Sequence, residues 1–227
     1  MTKFLSLLMI LSLSVSCSSK KKVKDVDNSK TIAKDYEVKD SSSNVRPGWI
    51  EDAEIWAEQE KMDTAKYRFF SYETEPKVSR DIACNLAQAN TRATIAGEIT
   101  TFIQRSLAAS TEGQSAIDPN NPDTKPVREY ISTTLSERVQ SLIHGAAVIK
   151  TYWEKRNYSV KMGAKKDYVA FTCATLIRMD AARLSSAIDK AAEEIVKKAP
   201  DQDIKDNVKK ALENLNEDFV KARQGEI

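Results

Sequence analysis

The sequence predicts an α+β fold: a two-layer domain with an antiparallel sheet, a long alanine-rich helix packed on it, and further helices at the C-terminal end. Three observations carry the prediction. Residues 78–107 place apolar side chains at three-and-four spacing over their whole length, the pattern of a helix lying on a core. Residues 66–74 and 167–179 are rich in aromatic and β-branched side chains, as strands are. Residues 181–199 and 201–219 then return to helical spacing. A chain of 227 residues that is 41% hydrophobic can fill one medium core or two small ones. Lysine plus arginine (35) nearly balance aspartate plus glutamate (33), so the overall charge argues for neither nucleic acid nor an acidic substrate as partner.

The chain begins with a short basic start ending at Lys3 and an apolar run from Phe4 to Val15. That run is 12 residues long, where a membrane-spanning helix needs about 20. It has the size of the hydrophobic region of an export signal. Ser16 and Cys17 follow, and the whole resembles a bacterial lipoprotein signal, in which cleavage before a cysteine leaves that cysteine as the lipid-bearing first residue. Ser14 departs from the usual branched apolar residue of that motif, and Leu13 stands one place earlier. The alternative is an ordinary signal cut near Ser16, with Cys17 a free thiol. On the lipoprotein reading Cys17 is the lipidation site and residues 1–16 are the signal. Ser18, rather than the aspartate associated with inner-membrane retention, then points to the outer membrane, with the folded domain in the periplasm or at the cell surface. Residues 18–45 are Ser-, Lys- and Asp-rich without apolar periodicity, and read as a flexible tether. Such a tether has a typical span of about 30 Å. The run Lys20-Lys21-Lys22 suits a solvated spacer, or contact with anionic headgroups.

The folded domain is expected over residues 46–199, with a C-terminal amphipathic helix in 200–227. Pro47-Gly48 makes a turn and Trp49 is the first large apolar anchor. A short helix through Ile50, Ala53, Ile55 and Trp56 follows, then the aromatic strand ending before Pro76. In the long helix the expected inward stripe is Val78, Ile82, Leu86, Ala89, Ala93, Ala96, Ile99, Ile103 and Leu107, with Ala93 at its centre and Thr91 pointing nearly opposite. Residues 108–126, with three prolines, read as a long surface loop, either functional or mobile. A short helix over 127–137 is expected, then a strand over 139–153 bent at Gly145, a basic connection over 154–166, and a strand over 167–179. Val169, Phe171, Cys173, Thr175, Ile177 and Met179 share one face of that last strand. Asp180 and Asp201 are placed to cap the two final helices, with Pro200 between them.

His144 is the sole histidine, which suits a structural side chain in a strand. With two further cysteines it makes no zinc set, so no metal and no cofactor is expected. No nucleophile elbow, P-loop or dinucleotide fingerprint is present, so no catalytic residue is expected. Glu193-Glu194 and Asp201 with Asp203 read as solvated carboxylates. Cys84 and Cys173 could pair as a disulfide in an exported chain, or stay buried as free thiols. Tyr67, Phe69, Phe70 and Tyr72 suit core packing better than a stacking platform for nucleic acid.

Pro47-Gly48-Trp49, the aromatic strand Tyr67–Tyr72, the pattern Ala87…Arg92-Ala93…Ile95-Ala96, Tyr152-Trp153 and the strand Tyr168-Val169-Ala170-Phe171 followed by a helix resemble the Lpp-twenty family of bacterial lipoproteins, which includes flagellum-associated outer-membrane lipoproteins. The resemblance covers roughly residues 46–198. It implies a small α/β domain, roles at the cell envelope and no known catalytic residues. The expected function is therefore that of a non-enzymatic envelope protein, held to the membrane by its N-terminal lipid and binding an envelope protein or a second copy of itself, without nucleic acid. The alternatives are a tethered regulator of a cell-wall synthase and an envelope hydrolase.

Overall fold

A computed structural model describes Val23, residues 25–27, 34–143 and 146–224. The signal segment, Cys17, the lysine run and His144 with its Gly145 bend lie outside these residues. In chain order the elements are β1 (Val26–Asp27), β2 (Tyr36–Ser41), β3 (Val45–Arg46), α1 (Ala53–Gln59), β4 (Tyr67–Glu73), α2 (Arg80–Ala109), α3 (Thr111–Ala116), α4 (Lys125–Thr133), α5 (Leu135–Leu142), β5 (Ala147–Tyr158), β6 (Tyr168–Asp180), α6 (Ala181–Lys198), α7 (Gln202–Ala211) and α8 (Leu215–Gln224).

The class is α+β as expected, with one four-stranded antiparallel sheet ordered β2-β5-β6-β4 and a long helix across it. The central pair β5-β6 is a hairpin. Its connection turns at Gly163, whose φ of +105° favours a residue without Cβ, and Asp167 Oδ1 accepts from the Val160 amide at 2.7 Å. On one sheet face lie α2 and the helical layer α3–α8, around Ile95, Ile99, Ile103, Leu135, Ile177, Leu184 and Val208. The other face is covered as well, by a 3-10 turn at Gly48–Ile50 and α1. There Trp49, Ala53, Trp56 and Ala57 pack on Phe69, Tyr152, Ala174 and Leu176.

The expected caps at Asp180 and Asp201 form, and Asp52 and Ser79 cap two earlier helices. Asp52, Ser79, Asp180 and Asp201 each accept from backbone amides of the first turn of α1, α2, α6 and α7. In the C-terminal region Leu184, Ile188, Ala191, Ile195, Ile204, Val208, Leu212, Leu215 and Phe219 are buried, as their helical spacing predicts, and Val196 is half-buried.

Four expectations are corrected. The stripe of α2 holds only in its C-terminal half. Val78, Ile82, Leu86, Ala89 and Ala93 are exposed, whereas Ala83, Ala87, Thr91 and Ile95 are buried. Seven of the nine buried positions of α2, 83, 87, 91, 95, 99, 103 and 107, run in steps of four, with Ala96 and Thr100 beside them. At about 100° per residue each such step turns the inward direction by about 40°. The helix therefore rotates its buried side from the sheet at its N-terminal end to the helical layer at its C-terminal end. A mixed three-and-four stripe, which keeps one direction, coincides with it only from Ala96 onward.

Second, residues 108–126 are not one open loop. Ser110 caps α3, Gly113 and Ala116 are buried, and Gly113 lies so close to the Leu107 carbonyl that a Cβ there would collide with it. Third, Val139–Leu142 is helical, because Leu135 and Val139 are buried at helical spacing, and β5 starts at Ala147 and runs on to Tyr158 through part of the expected basic connection. The C-terminal helix is likewise two, parted at residues 212–214. Fourth, the chain joins the fold before residue 46. Tyr36–Ser41 is the sheet's edge strand beside β5, and β1 pairs antiparallel with β3.

Candidate functional site

The most concentrated polar chemistry lies on the α1 face of the sheet. Alternation along β5 puts Tyr152, Glu154, Arg156 and Tyr158 on that face, and all four are buried. Glu73 arrives from β4 and Arg46 from β3. Arg46 grips Glu73 with two parallel bonds, Nη1 to Oε1 at 2.9 Å and Nη2 to Oε2 at 2.7 Å. Arg156 donates from Nε to Glu154 Oε2 at 2.7 Å and from Nη2 to Glu73 Oε1 at 2.9 Å. The Tyr152 hydroxyl donates to Glu154 Oε1 at 2.8 Å. Tyr36 of β2 covers the Arg156 guanidinium at 4.5 Å, and Tyr158 stacks flat on Tyr168 at 4.4 Å.

These two carboxylates and two guanidiniums sum to zero charge, and their mutual attraction and hydrogen bonds offset the desolvation cost of burying them. Burial pushes the Glu73 carboxyl up, but the hydrogen bonds and charge of Arg46, and then of Arg156, outweigh it and hold Glu73 below the usual carboxylate range. The Glu73 hydrogen bond in turn raises Arg46 against its own burial. Burial raises the Tyr36 and Tyr158 hydroxyls. A general acid needs a carboxyl tuned toward neutral pH, and Glu73 is shifted the other way. The arrangement acts as a pin that locks β3 to β4 and β5.

Next to the pin, the N-terminal segment is strapped onto the domain. The Gln59 side-chain amide, at the end of α1, lies 2.7 and 2.8 Å from the Val23 backbone carbonyl and amide, and pairs with both when its nitrogen is assigned toward the carbonyl and its oxygen toward the amide. Asp25 Oδ1 accepts from the Gly48 amide at 2.6 Å, and the β1-β3 ladder continues the attachment. Between strap and sheet lies a cleft of about 380 Å³, whose lining includes Asp25, Ser43, Trp49, Trp56, Glu60 and Lys150. The Lys150 ammonium sits 4.6 Å from the Trp56 ring centre.

A second charged centre joins the C-terminus to both layers. Arg223 of α8 is ion-paired with Glu98 of α2 and lies 3.6 Å from Glu54 of α1, with its guanidinium 4.2 Å from the Phe70 ring. Burial raises the Glu54 carboxyl, and the Arg223 charge offsets part of that.

Of the residues singled out in the sequence, Cys84 and Cys173 are joined as a disulfide between α2 and β6, with Cα atoms 5.0 Å apart. Phe69 and Phe70 are core residues. Cys17 and His144 lie outside the described residues. Among the described residues no three His, Cys, Asp or Glu side chains are grouped to hold a metal, and no helix is long and apolar enough to cross a membrane. Sequence reasoning missed the pin; the signal that could have found it is the alternation Tyr152, Glu154, Arg156, Tyr158 in a segment read as a connection. No family model, curated protein or solved structure matches the chain.

Proposed function

We propose that this chain is a lipid-anchored protein of the bacterial envelope, of Lpp-twenty type, with a non-enzymatic structural or partner-binding role. The observation that carries the reading is the N-terminal pattern: Lys3, the apolar run Phe4–Val15 and Cys17 immediately after Ser16. The Cys84–Cys173 disulfide supports it independently, since such bonds persist in oxidising compartments outside the cytoplasm. On this reading Cys17 carries the lipid, Ser18 directs the chain to the outer membrane, and the folded domain meets an envelope protein or a second copy of itself. Metabolic labelling with a radioactive fatty acid tests the anchor. Label should enter the wild-type chain and be absent from Cys17→Ser, which should also leave the membrane fraction. A Cys17→Ser chain that stays labelled and membrane-bound would overturn the reading. Cross-linking in intact cells tests the role: discrete adducts are expected, and a chain that remains monomeric would count against it.

A further inference from the structure

We infer that the domain is held close against the lipid headgroups with its α1 face toward the bilayer, by a leash only six residues long; the inference rests on lipidation at Cys17. The leash runs from Cys17 to Val23, not to residue 45, because Val23 is the first point at which the described chain is fastened. Three attachments hold the strap: the two-bond pairing of Val23 with Gln59, the Asp25–Gly48 bond and the β1-β3 ladder.

Chain geometry then sets the reach. Six residues span at most about 20 Å fully extended, whereas an unfastened chain to residue 45 could extend about 100 Å. A globule of this size has a radius of gyration of about 16 Å and hence a diameter of about 40 Å. Turning the far side of the domain onto the bilayer would lift Val23 by about that diameter, twice what the leash allows. The face that carries the strap, with the end of α1 at Gln59 and the cleft beside Trp49 and Trp56, must therefore look toward the lipid. The opposite layer, in which α2 leaves Ile82 and Leu86 exposed, looks away from it. A partner of this protein is then one that stands at the membrane surface, and the chain cannot work as a long-reach tether to a distant target.

The test measures energy transfer from tryptophan to a dansyl headgroup lipid in phosphatidylethanolamine/phosphatidylglycerol vesicles carrying the full-length lipidated protein. Trp49 and Trp56 lie beside the strap and act as donors, the third tryptophan being removed by Trp153→Phe in every chain compared. A Gly/Ser insertion of about 20 residues, with a typical span of about 25 Å, is placed after Ser19 in one variant and after Ser29 in another. Insertion after Ser19 lengthens the leash and should lower transfer about twofold or more, while insertion after Ser29, downstream of the strap, should leave it at the wild-type value. Equal loss in both variants, or loss in neither, would overturn the inference. Fatty-acid labelling of each variant separates the two readings: unlabelled chains refute the anchor, whereas labelled chains with equal transfer refute the short leash alone.

Discussion

Beside the disulfide, a pair of threonines fastens α2 to the sheet, and its geometry makes an asymmetric prediction. Thr91 and Thr175 are both fully buried, with hydroxyl oxygens 2.7 Å apart. Thr91 Oγ1 also donates to the Ala87 carbonyl at 2.6 Å. A hydroxyl has one proton, so Thr175 is the donor between the two. Thr91→Val keeps the shape but strands the Thr175 proton in the core, which costs about 1–3 kcal/mol. Thr175→Val leaves the Thr91 proton on Ala87 and removes only one hydrogen bond, about 1 kcal/mol. The double variant strands nothing and should be more stable than Thr91→Val alone. In a protein of this size a loss of about 2 kcal/mol lowers Tm by roughly 4–8 °C. Thermal melts of the full chain in detergent, for wild type, both singles and the double, complete the cycle. Ala93→Leu, at an exposed position two residues away, serves as the control and should shift stability by no more than about 0.5 kcal/mol. Simple additivity of the two single costs, or an Ala93→Leu penalty above that of Thr91→Val, would refute this placement of α2.

Two further outcomes follow from other contacts. The Cys84–Cys173 bond closes a sequence separation of 89 residues, for which chain entropy gives a stabilisation of about 4–5 kcal/mol and measured bonds typically about 2–5; the urea midpoint of the wild type should fall on adding reductant, and that of Cys84→Ala/Cys173→Ala should start lower and not respond. Glu73 has a folded pKa below its ordinary 4.5, so its contribution is complete above that value and is lost as pH falls through the lowered one. Because Glu73 is about a quarter exposed, Glu73→Gln should cost about 2–3 kcal/mol at neutral pH, less than the 3–5 of a fully buried pair. Denaturation midpoints across pH 3–7 should show that gap closing on the acid side, and a gap independent of pH would contradict the assignment.

Much of this fold was legible because its signals are local. Asp180 followed by Leu184, Ile188, Ala191 and Ile195 states a cap and a buried face within a few turns, and α6 forms accordingly. The aromatic content of Tyr67–Tyr72 was enough to place β4. The N-terminal half of α2 was misread for an equally physical reason. Ile82 and Leu86 outrank Ala83, Ala87 and Thr91 in hydropathy, yet close approach to β6 uses the small residues, the disulfide and a satisfied hydroxyl. The strand Tyr36–Ser41 is mostly polar by composition and exists because β5 offers it an edge, the context dependence that makes strand propensity weak evidence.

The pin shows where single-residue reasoning stops. Glu154 is fully buried, and taken alone a buried carboxylate would be one of the most costly residues in the chain. It is stable there because Arg156 and Tyr152 bond it from the same strand, and because Arg156 is shared with Glu73, which Arg46 completes. Glu73 lies 27 residues from Arg46 and 83 from Arg156, so no window along the sequence contains the set. An exposed pair such as Lys125–Glu129 at 3.6 Å can be read from its four-residue spacing, but contributes about 0.3–0.5 kcal/mol and decides nothing. Exposed pairs are thus legible and weak, whereas the consequential charges are core residues only as a group assembled by the fold. That group lies on the strapped face, so Arg46, through Glu73, ties the β1-β3 ladder to the sheet. The same ion pairs that keep Glu154 buried also brace the attachment that shortens the leash.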